Sequence, residues 1–376
     1  LEIRLGYSRD LAEKRDLLRR ISELRDERLG DDAGAFAAFA ERLPLDPEDE
    51  PTRRRFIDLG KKLGEHAKIA SVLSATADAT TAKPVRASIL MAVAELYEGP
   101  LDDVDRARAE YTKVIETDPN DPAIVIPAAQ ALARIHEAKG DHAALAEILS
   151  TEVKLEESTD TRKTLFDKLG ELYEKTLGAP EKAIEAYRSR LADDPGDTDA
   201  LAALERLYES EKDYRQLVAI LRAREEATSD ADERRRAMVK AAETLAGPLD
   251  DTNEAINAWR AVLDTFGPER ATLAALASLY ERAGRHADLA ETLEADLALA
   301  DDPKDRIELL GRLGDVRRNH LSDLPGALDA YRQALELDTA DKRSREALEA
   351  LLDDRDTESA PVLEAQKTAA EILHPL

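Results

Sequence analysis

Apolar residues recur along the whole chain at spacings of three and four, the period of an amphipathic helix. Leu204, Leu207, Leu217 and Leu221 mark two short stripes, and Leu276, Leu279, Leu289 and Leu293 repeat them 72 residues later. Phe56, Leu59, Ile69 and Leu73 do the same upstream, as do Leu132, Ile135, Leu145 and Leu149. No alternating stretch long enough for a half-buried strand interrupts this period. Breaks fall at Gly30, Gly140 and Gly178 and at the Asp-Pro steps 46–47, 118–119 and 194–195. Gly suits a left-handed turn after a helix, and Pro cannot continue one. Asp302 before Pro303 predicts a cap followed by proline at the first helical position.

The stripes belong to a longer repeat. An anchor leucine stands at Leu29, Leu101, Leu177, Leu249 and Leu321, with spacings of 72, 76, 72 and 72. Six residues after each comes Ala35, Ala107, Ala183, Ala255 or Ala327. Four further on is an aromatic (Phe39, Tyr111, Tyr187, Trp259, Tyr331), and four beyond that an aliphatic (Leu43, Ile115, Leu191, Leu263, Leu335). Upstream a small residue recurs at Ser22, Ala94, Gly170, Ala242 and Gly314. The single spacing of 76 comes from four extra residues in the run DPNDPAIVIPAAQ. Each copy reads as four helices, in boundaries 14–82, 83–159, 160–230, 231–301 and 302–355. Residues 1–13 align with the end of a copy, so the array is expected to be cut from a longer one. Residues 356–376 lose the register and read as a divergent helix or cap.

Two helices approach closely only where a small residue on one meets bulk on the other. Gly170 and Ala183 supply the space, and Leu169 and Tyr187 the bulk. Ala183 and Tyr187 are four apart and share a face, which Leu177 and Leu191 are expected to extend. One helix pair cannot bury both flanks of such a stripe, so pairs are expected to stack into one elongated core.

The small-x-x-Tyr, Ala-x-x-x-aromatic and Asp-Pro pattern, here Leu169, Gly170, Tyr173, Ala183, Tyr187 and Pro195, resembles the tetratricopeptide repeat. The first half of every copy fits, with one extra residue in the turn. The second half departs, with Glu205 at the small position and Leu217 where Ala is usual. The resemblance covers residues 1–355 and is nearest to large Ala/Arg/Asp-rich repeat proteins of bacteria with GC-rich genomes. It implies an all-α, right-handed α-solenoid (superhelix) of antiparallel helix pairs. It also implies a scaffold that binds proteins or peptides, without catalysis.

Composition narrows the partner. There are 80 acidic and 54 basic residues among 376, a formal charge of −26, which opposes a general nucleic-acid binder. With no Cys there is neither a disulfide framework nor a thiolate zinc site, a usage compatible with cytoplasm or periplasm; cytoplasm is the expectation. No apolar run of membrane-spanning length is present. His136 and His142 lie six apart, off the spacing of a helical metal pair. His66, His142 and His286 share a column with Tyr214, which points to packing or capping. GKKLG at 60–64 lacks phosphate-loop spacing, and GRLGD at 311–315 falls within a helix. The basic runs at 52–56 and 232–238 are expected to be solvated faces. No cofactor and no metal are expected.

An acid follows each small residue: Glu23, Glu95, Glu171, Glu243 and Asp315. In a tetratricopeptide-like stack this position would face the inner wall, with Glu174 and Arg236 nearby on the same face. Such a row repels itself and would welcome a cationic protein or peptide. It would repel the acidic chaperone tails that some members of the family hold. The bland reading is that Glu is a good helix former inherited by each copy. The expected function is therefore a non-catalytic protein–protein interaction scaffold with an acidic helical surface. Two other readings stay open: a spacer or self-association arm of a larger protein, and a half-a-tetratricopeptide scaffold of a ribonucleoprotein.

Overall fold

The computed structural model describes residues 1–352 and 360–374, and among them every regular element is helical. The proposed boundary at 355/356 lies outside the described residues. The chain divides into two compact units, Leu1–Asp193 and Asp194–Leu376. The first holds α1 (Glu2–Tyr7), α2 (Leu11–Glu23), α3 (Asp32–Arg42), α4 (Glu50–Leu63), α5 (His66–Ala79) and α6 (Lys83–Glu98). It continues with α7 (Val104–Thr117), α8 (Pro122–Lys139), α9 (His142–Leu155), α10 (Thr159–Glu171) and α11 (Pro180–Asp193). The second holds α12 (Thr198–Ser210), α13 (Tyr214–Ala227), α14 (Ala231–Ala246), α15 (Thr252–Phe266) and α16 (Arg270–Arg282). Then come α17 (His286–Leu299), α18 (Pro303–Asn319), α19 (Leu324–Leu337), α20 (Lys342–Leu352) and α21 (Ala360–Leu373). Successive helices pack pairwise, and each unit is a helical solenoid.

The turns explain the repeat. The residue after each anchor leucine is left-handed: Gly30 (φ 61°), Asp102 (49°), Gly178 (58°), Asp250 (51°) and Ser322 (56°). A single left-handed residue closes the first helix of a pair and reverses the chain. An aspartate then caps the second helix in four copies. Asp31, Asp103, Asp251 and Asp323 accept from the backbone N–H of Gly34, Arg106, Glu254 and Gly326. The third copy uses Pro180 at the helix start instead. The same device recurs in the second pairs, at Gly64, Gly140, Lys212 and Gly284. His66, His142, Tyr214 and His286 are the first helical residues after these turns.

The small and aromatic columns meet as expected. Ser22, Ala94, Gly170, Ala242 and Gly314 are all buried. A Cβ on Gly170 would lie 2.7 Å from Tyr187 Cε1, and one on Gly314 2.7 Å from Tyr331 Cζ. The second-half leucines are buried too, with Leu204, Leu207, Leu217 and Leu221 at the centre of their pair.

The expected stripe and the solvated basic runs hold in part. Leu177 does extend the stripe, packed partly buried against the cluster that holds Leu169, as Leu101 and Leu249 pack on theirs, whereas Leu29 is 66% exposed. Each stands just before the left-handed residue of its turn. Leu191, like Ile115 and Leu263, is half-buried, whereas Leu43 and Leu335 are fully buried. In the basic runs Arg54, Arg55, Arg234 and Arg236 are exposed, and Arg53 is the exception. Arg53 is buried and donates to the Pro47 carbonyl at 2.9 Å, and burial lowers its pKa. Arg55 holds Asp26 at 2.7 Å, and Arg235 pairs with Glu269.

Glu205, standing where a small residue is usual, is held by Lys240 at 2.9 Å and by Arg224. Burial pushes its carboxyl up, but those hydrogen bonds outweigh it and leave the pKa below the usual glutamate range.

Candidate functional site

The four residues inserted in the second copy are one helical turn, so they lengthen a helix without rotating its apolar stripe out of register. α8 has 18 residues, against 13 in α12 and α16. Its first turns carry Pro127 in the helix interior, and Gln130 follows on the same exposed side. Along this lengthened helix runs a groove of about 740 Å³, with α6 and α10 as its flanks. Met91, Pro127, Ala131, Leu149 and Leu165 give it an apolar lining.

Charge in the groove is unevenly matched. Glu98 accepts the Tyr111 hydroxyl at 2.6 Å and Arg134 at 3.4 Å. Burial, reinforced by the Glu98 hydrogen bond, holds the Tyr111 phenol well above its ordinary value, so it stays a neutral donor. Glu95, Glu137 and Glu152 also line the groove and have no cationic partner among the described residues. Lys168 is the remaining base at the rim. Three carboxylates against one ammonium leave two negative charges uncompensated.

Glu152 differs from the others because it is 3% exposed. It stands three residues after Leu149, in a column that also holds Thr76, Arg224 and Asp296. Its equivalents are satisfied inside the protein. Thr76 donates to the Val72 carbonyl at 2.7 Å, Arg224 is bound by Glu205 and Glu233, and Asp296 takes Arg270 at 2.9 Å. Among the described residues Glu152 accepts only the neutral amide of Gln130, at 2.9 Å. A buried carboxylate costs free energy unless it is well compensated, so a missing cation is significant.

The residues singled out by sequence are distributed as follows. Glu95 is exposed on α6 and lines the groove. Glu23 closes α2 and takes Arg19 at 3.3 Å. Glu171 closes α10 and takes Lys175 at 2.7 Å, and Glu174, in the wide turn that follows, has its own partner. Arg236 and Glu243 are exposed on α14 of the second unit. Asp315 on α18 accepts the Tyr331 hydroxyl at 2.7 Å and Arg343 at 2.6 Å. Sequence reasoning missed Gln130, Glu137 and Glu152. Two signals pointed to them: the spacing of 76, and a polar residue within the buried stripe of α9.

A family model described as the tetratricopeptide repeat matches residues 165–199 and 272–307. The chain is a tetratricopeptide-like repeat protein. Solved structures of such proteins resemble it at low identity. One, from Parabacteroides merdae, is 14% identical over 75% of this chain and 98% of its own, with a TM-score of 0.29. The C-terminal part of a repeat protein from Cytophaga hutchinsonii is 14% identical over 69% and 99%, with a TM-score of 0.30. YrrB, described as having an unusual peptide-binding site, is 19% identical over 50% and 91%, with a TM-score of 0.28. No curated protein matches the chain.

Proposed function

We propose that this chain is a non-catalytic scaffold that holds a protein or peptide partner, and that the acidic groove along α8 is a principal contact. The carrying observation is the groove itself, which combines an apolar lining with more carboxylates than bases. A groove of this kind gives an extended segment area to bury and a charge preference to orient it. The net charge of −26 supports a cationic protein partner over a nucleic acid. Among the described residues no helix is long and apolar enough to cross a membrane. In the second unit, taken by itself, Glu243 is an exposed acid.

Selection from an unbiased displayed-peptide library tests this reading. Salt-sensitive capture of Lys/Arg-rich peptides is expected, weakened when Glu95 and Glu243 are replaced by Lys while helicity is kept. No enrichment, or unchanged capture and salt slope in the reversed variant, overturns it.

A further inference from the structure

We propose that Glu152 and Gln130, which line this groove, seat the guanidinium of an arginine carried by the partner segment. The inference rests on the scaffold reading and adds the chemistry of the side chain received.

Within the column Thr76, Glu152, Arg224 and Asp296, both other charged members have an internal counter-charge. Glu152 alone is a buried acid matched, among the described residues, by an amide and no cation. Of the two bases in the lining, Arg134 is engaged by Glu98, and Lys168 makes no ion pair with Glu152. The position is therefore prepared for a positive group that the described residues do not supply.

The geometry favours a forked donor. Gln130 spends its Nε2 on Glu152 Oε1. That leaves Glu152 Oε2 and Gln130 Oε1, on two side chains joined by that bond, as acceptors with no donor among the described residues. A guanidinium offers several N–H groups in one plane and can serve both oxygens together. An ammonium is a compact, strongly hydrated point charge and loses more on leaving water. The apolar lining from Pro127, Ala131, Leu149 and Leu165 suits the aliphatic stem of the incoming side chain. Exposed Glu95 and Glu137 draw a cation toward the groove at longer range.

The test uses the full chain and short blocked alanine-rich peptides that differ only at one central residue: arginine, lysine or citrulline. Citrulline keeps the shape of arginine and removes its charge. Fluorescence anisotropy should show saturable binding of the arginine peptide, weaker binding of the lysine peptide, and at least about tenfold weaker binding of the citrulline peptide. Glu152→Gln should abolish the arginine-over-citrulline preference, with the thermal midpoint kept or raised because an uncompensated buried charge is removed. Glu95→Gln should weaken the arginine and lysine peptides by a similar factor. Equal binding of arginine and citrulline, no saturable arginine binding, or a preference that survives Glu152→Gln overturns the seat. Library capture that persists in Glu152→Gln while this panel shows no arginine preference removes the seat and leaves the scaffold reading standing.

Discussion

Gly170 has no room for a side chain because the ring of Tyr187 occupies the space where its Cβ would project, 2.7 Å from Cε1. This contact joins α10 to α11, and Gly314 makes the same contact with Tyr331 between α18 and α19. Gly170→Ala should destabilise the protein by about 1–3 kcal/mol through overpacking, despite the better helix propensity of Ala. Gly6→Ala is the control, since nothing lies within 4 Å of that position. It should be neutral or slightly stabilising. Urea unfolding followed by circular dichroism reads both, and equal effects at the two sites would contradict the close-packing account.

Lys212 occupies a turn position that Gly64, Gly140 and Gly284 fill in other copies, with φ at 57°. A side chain in the left-handed region costs about 1–2 kcal/mol, and glycine recovers it less an entropic cost of about 0.5–1 kcal/mol. Lys212→Gly should therefore stabilise by up to about 1 kcal/mol. Ser322→Gly, at φ 56°, should act in the same direction. A lowered urea midpoint in both variants would show that these turns are not strained.

Acid should unfold the second unit through Glu205. Its pKa in the folded protein is depressed, because the hydrogen bonds from Lys240 and Arg224 outweigh burial. The stability it lends is full above the unfolded value of about 4.3 and is lost as pH falls through the lower folded value. Asp288, held down by its hydrogen bond from Arg285, adds in the same sense. The urea midpoint should stay level from neutrality to about pH 5 and fall below about pH 4, less steeply in Glu205→Gln. A wild-type midpoint that stays level below about pH 4, or an unchanged slope in the variant, would contradict this assignment.

The fold was legible because its determinants are local and periodic. Leu204, Leu207, Leu217 and Leu221 announce a helix pair by spacing alone, and the five small and aromatic columns announce the stacking. The recurrence of Leu29 and its equivalents was also plain, but periodicity does not say whether a residue repeats for burial or for a turn. Leu101, Leu177 and Leu249 do both, packing on their cores just before the left-handed residue, while Leu29 is exposed. The groove was less legible. Glu95 was found as a member of an acidic column, while Glu152 and Gln130 are brought together across the α8–α9 turn from positions 22 apart. Single-column reasoning also could not reveal that Asp315 is bound by Tyr331 and Arg343.

The central claim is that the groove along α8 receives a partner segment, and hydrogen exchange on the whole chain addresses it most directly. With a library-selected basic peptide bound, amides on α6, α8 and α10 should exchange more slowly than in the free protein, and Glu152→Gln together with Glu95→Lys should erase the difference. Protection confined to the second unit, or exchange unchanged on all three helices at saturating peptide, would contradict the account.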